Sequence, residues 1–313
     1  MGWKEALARE PAILVEGAVV ERLRRDPAVR LDPLILNAAL LFDARSRCAM
    51  EAIYREYIEI GARHALPLVV GSPSWRANPE RIRLATMLSC EEVNHEAVAF
   101  LREIRASYGP YATRVFIAGL LGCRGDAYAP RESLRAAQAR EFHEPQTRFL
   151  AAAGADFLLA ATLPSAEEAL GIAQAMSGRG LPYVLSFVVR SSGQLLDGTP
   201  LHEAIRTIDR QADPRPCGYW ANCTHPDIFG AALAKMRRQA PEVLERVVGL
   251  QANGSPLAPE RLDRSPQLIA GDPEELAGRM AELHREFGIR ILGGCCGTDG
   301  RHIEAIARRL HAV

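Results

Sequence analysis

Ile289-Arg-Ile-Leu-Gly-Gly-Cys-Cys-Gly-Thr-Asp-Gly-Arg-His-Ile-Glu-Ala-Ile-Ala-Arg-Arg-Leu310 reads as a short strand, a glycine-flanked turn and an amphipathic helix. Ile289–Leu292 is an apolar run of strand length. In the helical window Asp299–Leu310, Ile303, Ile306, Ala307 and Leu310 recur at three- and four-residue spacing and make one apolar face, with Thr298 or Asp299 placed to cap the first turn. The same alternation runs upstream. Further strands are predicted at Ile13–Val15, Leu66–Val70, Thr113–Ala118, Phe157–Ala160, Tyr183–Val189, Gly218–Ala221 and Val247–Leu250. Helical windows include Arg135–Ala153, Ala166–Ser177, Pro226–Gln239 and Pro273–Phe287. Strands buried on both faces need not alternate apolar and polar residues, and these do not. Eight strand–helix units predict an α/β fold, a single (β/α)8 TIM barrel over residues 1–313. An open doubly wound sheet is the alternative with the same alternation.

Composition removes several classes of function. The 38 basic side chains balance 38 acidic ones, which argues against a polyanion surface and so against nucleic acid as a partner. No run approaches the roughly 18 apolar residues of a membrane span, and the opening Met-Gly-Trp-Lys lacks a signal-peptide core, so a cytoplasmic protein without a membrane partner is expected. Lys4 and Lys235 are the only lysines; they read as a frayed terminus and a helix surface, which leaves no Schiff-base lysine. No Gly-Lys dipeptide offers a phosphate loop. Seven cysteines, an odd number, do not suggest a disulfide framework, and Cys48, Cys90, Cys123 and Cys217 read as small buried hydrophobes.

A barrel concentrates chemistry at the C-terminal ends of its strands. Glu16-Gly17, Ser72–Trp75, Gly122–Gly125, Asn222-Cys223, Asn253-Gly254 and Gly293–Thr298 fall there. Glycines around Cys295-Cys296 permit a sharp turn into a helix N-terminus, whose dipole favours thiolate. If the turn aims both sulfurs inward, Cys223 supplies a third, and three thiolates leave one tetrahedral position of a zinc ion open. A packed Cys-Cys pair or a vicinal disulfide is the plainer reading of the same residues. His225 is a possible fourth ligand, although Pro226 turns the chain into a helix; the other histidines fall mostly in helices and read as surface residues.

The Gly-Gly-Cys-Cys-Gly-Thr run at 293–298, with Asn222-Cys223 upstream, resembles the homocysteine S-methyltransferase family. Ser186–Arg190 through Asp197-Gly-Thr-Pro-Leu201, Thr162–Ala169, Ala153–Asp156 and Ala252-Asn-Gly254 are similar to family segments in order and spacing, so that the likeness runs from about Ile13 to Leu310. The resemblance implies the barrel fold with Zn2+ held by Cys223, Cys295 and Cys296 at its C-terminal face. It implies small-molecule substrates, a thiol acceptor and a methyl donor: homocysteine, and a sulfonium such as S-methylmethionine, giving methionine. No catalytic residue beyond the zinc ligands is implied. Glu16-Gly17 stands where the family has Asp-Gly, whose acid holds the homocysteine ammonium. The family's second acid, at the end of the fourth strand, is here Ala161, which leaves open another thiol or a selenol as acceptor. Around the site, Ser74, Trp75 and Arg76 occupy the second-strand loop, Trp75 as an aromatic face for a cationic donor and Arg76 as a carboxylate clamp. Tyr128 is a further donor-site candidate, and Asn222 a residue that orients the zinc loop. A non-catalytic zinc or redox-sensing barrel is a lower alternative. Hydrolysis by zinc-bound water ranks low, because three thiolates leave such water a poor acid.

Overall fold

Eight strands, Ile13–Val15 (β1), Leu68–Gly71 (β2), Val115–Leu121 (β3), Phe157–Leu163 (β4), Tyr183–Phe187 (β5), Gly218–Thr224 (β6), Val247–Ala252 (β7) and Ile291–Gly294 (β8), pair in sequence order and close on themselves. Every neighbouring pair is parallel, and Ile13 and Leu14 of β1 meet Ile291 and Leu292 of β8 to complete the ring. The computed structural model describes residues 1–258, 262 and 269–311. In chain order its helices are Trp3–Arg9 (α1), Val20–Arg25 (α2), Ala44–Arg63 (α3), Pro79–Ala85 (α4), Cys90–Ala106 (α5), Ala136–Ala152 (α6), Ala166–Ser177 (α7), Leu201–Gln211 (α8), Pro226–Gln239 (α9), Pro241–Leu244 (α10), Pro273–Phe287 (α11) and Gly300–His311 (α12). The expected (β/α)8 barrel is the observed fold. No described helix is long and apolar enough to cross a membrane.

Alternation along each strand separates two apolar layers. Ile13, Val15, Val69, Phe157, Leu159, Ala161 and Ile291 belong to one cluster inside the barrel, whereas Leu14, Leu68, Val70, Leu158, Ala160 and Leu292 pack outward under the helices. The interior cluster is completed from below by α1, whose Trp3 stacks on Phe157 at 4.1 Å between ring centroids and meets Trp220 edge-on at 6.3 Å. The chain start expected to be frayed is therefore a plug; Lys4 lies on its exposed side. Lys235 does sit on a helix, donating to the Ser192 carbonyl.

Several strands run further than the sequence pattern suggested. β4 and β6 each continue three residues past the expected end, through register shifts between Ala160 and Leu163 and between Asn222 and Thr224. Thr162 (φ 62°) and Cys223 (φ 52°) sit within these shifts in the left-handed region, a conformation costly for residues with a side chain. Asn222 and Cys223 thus belong to the end of a strand, and the bulge turns the cysteine toward the barrel mouth. Of the cysteines expected to be buried, Cys123 is, Cys90 and Cys217 are half-buried, and Cys48 is exposed on α3; all seven are unbridged. His143 and His302, expected at the surface, are fully buried. An imidazole satisfies helix-packing polar contacts that the sequence pattern does not reveal: His302 reaches the Gly271 carbonyl at 3.2 Å.

Candidate metal centre

Two glycines at the end of β8 allow the chain to pass closely under its neighbours. A Cβ on Gly293 would collide with the Val15 carbonyl, and one on Gly294 with Thr298. The turn that follows is pinned by Thr298, whose hydroxyl donates to the Cys295 carbonyl (2.7 Å) and accepts from the Ala18 amide (3.2 Å). Asp299 then caps α12 by accepting the Arg301 amide at 3.0 Å. From this turn Cys295 and Cys296 face Cys223 across the mouth, and the three sulfurs all lie within 4.8 Å of one another. Cys223 and Cys295 are 2.9 Å apart, sulfur to sulfur, as thiols rather than a disulfide.

Asn222 fixes the two strained strand ends to each other. Its Oδ1 accepts from the Thr162 amide (2.8 Å) and the Ser186 hydroxyl (2.7 Å), while its Nδ2 donates to Thr162 Oγ1 (2.7 Å) and to Cys223 Sγ (3.4 Å). This carboxamide uses donors and acceptors together, and no apolar or singly charged residue of its size could replace it.

For Cys295 the thiol hydrogen bond with Cys223, followed by burial, raises the pKa well above its ordinary value. For Cys223 the bond with Cys295 pulls the other way, but Cys296 and burial outweigh it. Cys296 is lowered by Cys223 and raised more by Cys295 and burial. Three crowded thiols, Cys223 buried and Cys295 and Cys296 half-buried, are thus held protonated, and a soft divalent cation is the partner that would discharge them. The donor set fits such an ion: three sulfurs converge, and among the described residues this is the group of Cys, His and acidic side chains arranged to hold one. His225 does not join it. Its Nδ1 accepts from the Asp227 amide at 3.3 Å and caps α9.

A cavity opens beside the sulfurs, lined by Glu16, Gly17, Trp75, Tyr128, Asn222 and all three cysteines. Glu16 lies just past β1, 7% exposed, with Oε2 accepting the Gly71 amide at 3.1 Å. Burial pushes its carboxyl up to about 8, against the lowering effect of that amide. Gly17 must be glycine, since a Cβ there would lie 2.7 Å from the Tyr57 hydroxyl. Tyr128 is half-buried on the cavity wall, and burial, then the three sulfurs, raises the pKa of its phenol.

Two of the expected substrate residues are engaged elsewhere. Ser74 is fully buried and bonds Ser72 Oγ and the Leu120 carbonyl (both 2.6 Å); it is Ser72 that borders the cavity. Arg76 does not line the cavity: its guanidinium reaches the Cys123 carbonyl (3.4 Å) and the Gly125 carbonyl, and covers the Trp75 ring at 4.1 Å. One face of Trp75 is therefore occupied, while its Nε1 donates to the Ala161 carbonyl at 3.1 Å. Ala161 does face the cavity, as the inward alternation of β4 requires. Glu21, Arg24 and Gln251 also line it and were not singled out by sequence. Glu21 is tied to the metal loop by the Gly297 amide and to Arg25 at 3.3 Å. Its place after β1 was the available signal.

Comparison with known proteins agrees with this geometry. The family model described as homocysteine S-methyltransferase matches residues 13–310. The homocysteine S-methyltransferase YbgG of Bacillus subtilis is 26% identical, over 95% of this chain and 94% of that protein. The homocysteine S-methyltransferase of Escherichia coli is 25% identical, over 97% and 96%. The metallated form of the homocysteine methyltransferase MmuM from Escherichia coli superimposes with a TM-score of 0.76 at 21% identity, covering 97% of this chain and 98% of that one, a likeness of fold. The family match begins at β1 and runs through all three cysteines, and the chain belongs to the homocysteine S-methyltransferase family.

Proposed function

We propose that this protein is a zinc-dependent thiol methyltransferase, one barrel domain over residues 1–313, that transfers a methyl group from a sulfonium donor such as S-methylmethionine to homocysteine and yields methionine. The convergence of Cys223, Cys295 and Cys296 at the mouth of a substrate-sized cavity carries the reading. These three residues would hold the ion, which supplies a coordination position that removes the proton of an acceptor thiol at neutral pH while leaving its sulfur nucleophilic. Asn222 keeps Cys223 on its bulge, and Tyr128 lines the same cavity as that sulfur. Glu16 and Gly17 form the wall where the acceptor's ammonium docks, Glu16 giving up its own proton as the cation arrives. The open side of Trp75 receives the sulfonium, whose departure as a neutral thioether needs no general acid.

Ala161 favours a second reading, the same transfer to another thiol or to a selenol. A single acid holds an ammonium less firmly than two, by about 1.5–3 kcal/mol for each lost charge-assisted hydrogen bond. Turnover of homocysteine against its des-amino analogue 4-mercaptobutanoate, with S-methylmethionine as donor and product identified by mass, separates the readings. A higher kcat/KM with homocysteine supports the first, and an equal or higher value with the analogue supports the second. No methylated product from either thiol would overturn both.

A further inference from the structure

Helix α2 carries Arg22, Arg24 and Arg25, and each is directed to a different place. Leu23, fully buried in the core, sets the phase of the helix. Arg22 turns toward α3, where it donates to the Tyr57 hydroxyl at 3.1 Å and pairs with Glu56 at 2.6 Å. Arg25 pairs with Glu21, one turn back, at 3.3 Å. Arg24 stands one turn beyond Val20, and because residues four apart share a helix face, both line the cavity beside the cysteines. Its side chain is exposed at the cavity mouth and has no hydrogen bond or ion pair with any described residue. Among the described residues that line the cavity it is the only base, and the acids are Glu16 and Glu21. Glu21 is already held by Arg25 and the Gly297 amide. Glu16 accepts the Gly71 amide and has no basic side chain as partner among the described residues.

An acid and a base that line one cavity without pairing with each other suit a ligand that carries both charges. A guanidinium presents a planar fork of N–H donors that matches a carboxylate. Arg76, the base expected to hold such a group, is engaged by the Cys123 and Gly125 carbonyls, so Arg24 is the cation left at the cavity. We propose that Arg24 is the carboxylate anchor of this cavity: its guanidinium takes the α-carboxylate of an amino-acid substrate whose ammonium docks on Glu16. This deepens the methyl-transfer reading given above and rests on it for the identity of the substrates. Homocysteine and S-methylmethionine both bring an α-carboxylate, and the des-amino thiol 4-mercaptobutanoate keeps its carboxylate without an ammonium. Water screens an exposed guanidinium until a ligand fills the mouth, so its contribution falls at the lower end of a charge-assisted hydrogen bond, about tenfold in affinity.

The test compares three thiols on the full-length protein loaded with zinc: homocysteine, 4-mercaptobutanoate and 3-aminopropanethiol, the last carrying the ammonium without the carboxylate. Binding is measured by titration calorimetry, and KM and kcat by methylated product with S-methylmethionine as donor. Arg24→Gln keeps a polar arm of similar reach and removes the charge. It is expected to weaken homocysteine and 4-mercaptobutanoate about tenfold and to leave 3-aminopropanethiol as in the wild type, with KM rising and kcat kept. Arg24→Lys, which restores a cation without the fork, should recover part of the loss. If the thiols bind as before while KM for S-methylmethionine rises about tenfold, the anchored carboxylate is the donor's. Wild-type values for every thiol and for the donor in Arg24→Gln would overturn the proposal, as would an equal loss for 3-aminopropanethiol. A wild type that binds homocysteine but forms no methylated product would remove the proposed function, while the binding differences among the three thiols would still decide whether Arg24 holds a carboxylate. A wild type that binds none of the thiols and no S-methylmethionine would overturn both.

Discussion

Glu16 is the group whose behaviour on substrate binding follows most directly from the geometry. It is buried, its carboxylate accepts from the Gly71 amide, and its carboxyl is pushed up to about 8. At pH 7 it is therefore about 90% protonated in the free protein, and docking an ammonium against it requires that proton to leave at a cost of about 1.4 kcal/mol, or tenfold in affinity. The acceptor thiol, near 8.5 in water, gives up another proton on coordination. Homocysteine binding to the zinc-loaded wild type at pH 7 should release about two protons, and binding to Glu16→Gln about one. Glutamine keeps the acceptor for the Gly71 amide, so the cavity wall survives. Titration calorimetry in buffers of different ionisation enthalpy counts the protons. The sign also fixes the pH profile: between pH 6 and 8 wild-type affinity should climb more steeply than that of Glu16→Gln, by about tenfold per unit below 8. Folding stability runs the opposite way. An acid whose pKa is raised by folding contributes stability that is fully present below about 4.5 and is lost as pH rises through about 8, and Glu16→Gln should remove that loss. Equal proton counts in wild type and variant would refute the placement of the ammonium on Glu16.

Other outcomes follow from single contacts. Trp3→Ala empties the plug beneath Phe157 and Trp220 and should destabilise the fold by about 3–5 kcal/mol, read as a lower denaturant midpoint, with zinc affinity of the folded protein unchanged. Asn222→Ala orphans the Thr162 amide and the Ser186 hydroxyl together, about 1–3 kcal/mol for each buried group left unpaired, and should weaken zinc affinity in chelator competition. Ala161→Glu restores an acid inside the cavity and should raise the ratio of kcat/KM for homocysteine over 4-mercaptobutanoate by about tenfold or more.

The barrel and the cysteine cluster were legible because each rests on local chemistry. Alternating apolar runs and capped helices repeat through the chain, and α7, α9 and α11 span the residues expected of them. Gly293 and Gly294 announce a close approach that no side chain permits. What was hidden depends on pairing across the ring. The bulges at Thr162 and Cys223 extend β4 and β6 past the point where apolar residues stop, since their strained backbone is held by Asn222 and not by local preference. Arg76 looked like a free clamp beside a cavity; its partners are carbonyls 47 and 49 residues away. Trp3 looked terminal because nothing near it in sequence shows the open base of the barrel it fills.

X-ray absorption at the zinc edge, on protein loaded with one equivalent of zinc and titrated with homocysteine, addresses the site itself. Three sulfur neighbours at about 2.3 Å, rising to four when the thiol is added, are the expected result. Fewer than three sulfurs before addition, or a shell that homocysteine leaves unchanged, would contradict the proposed chemistry.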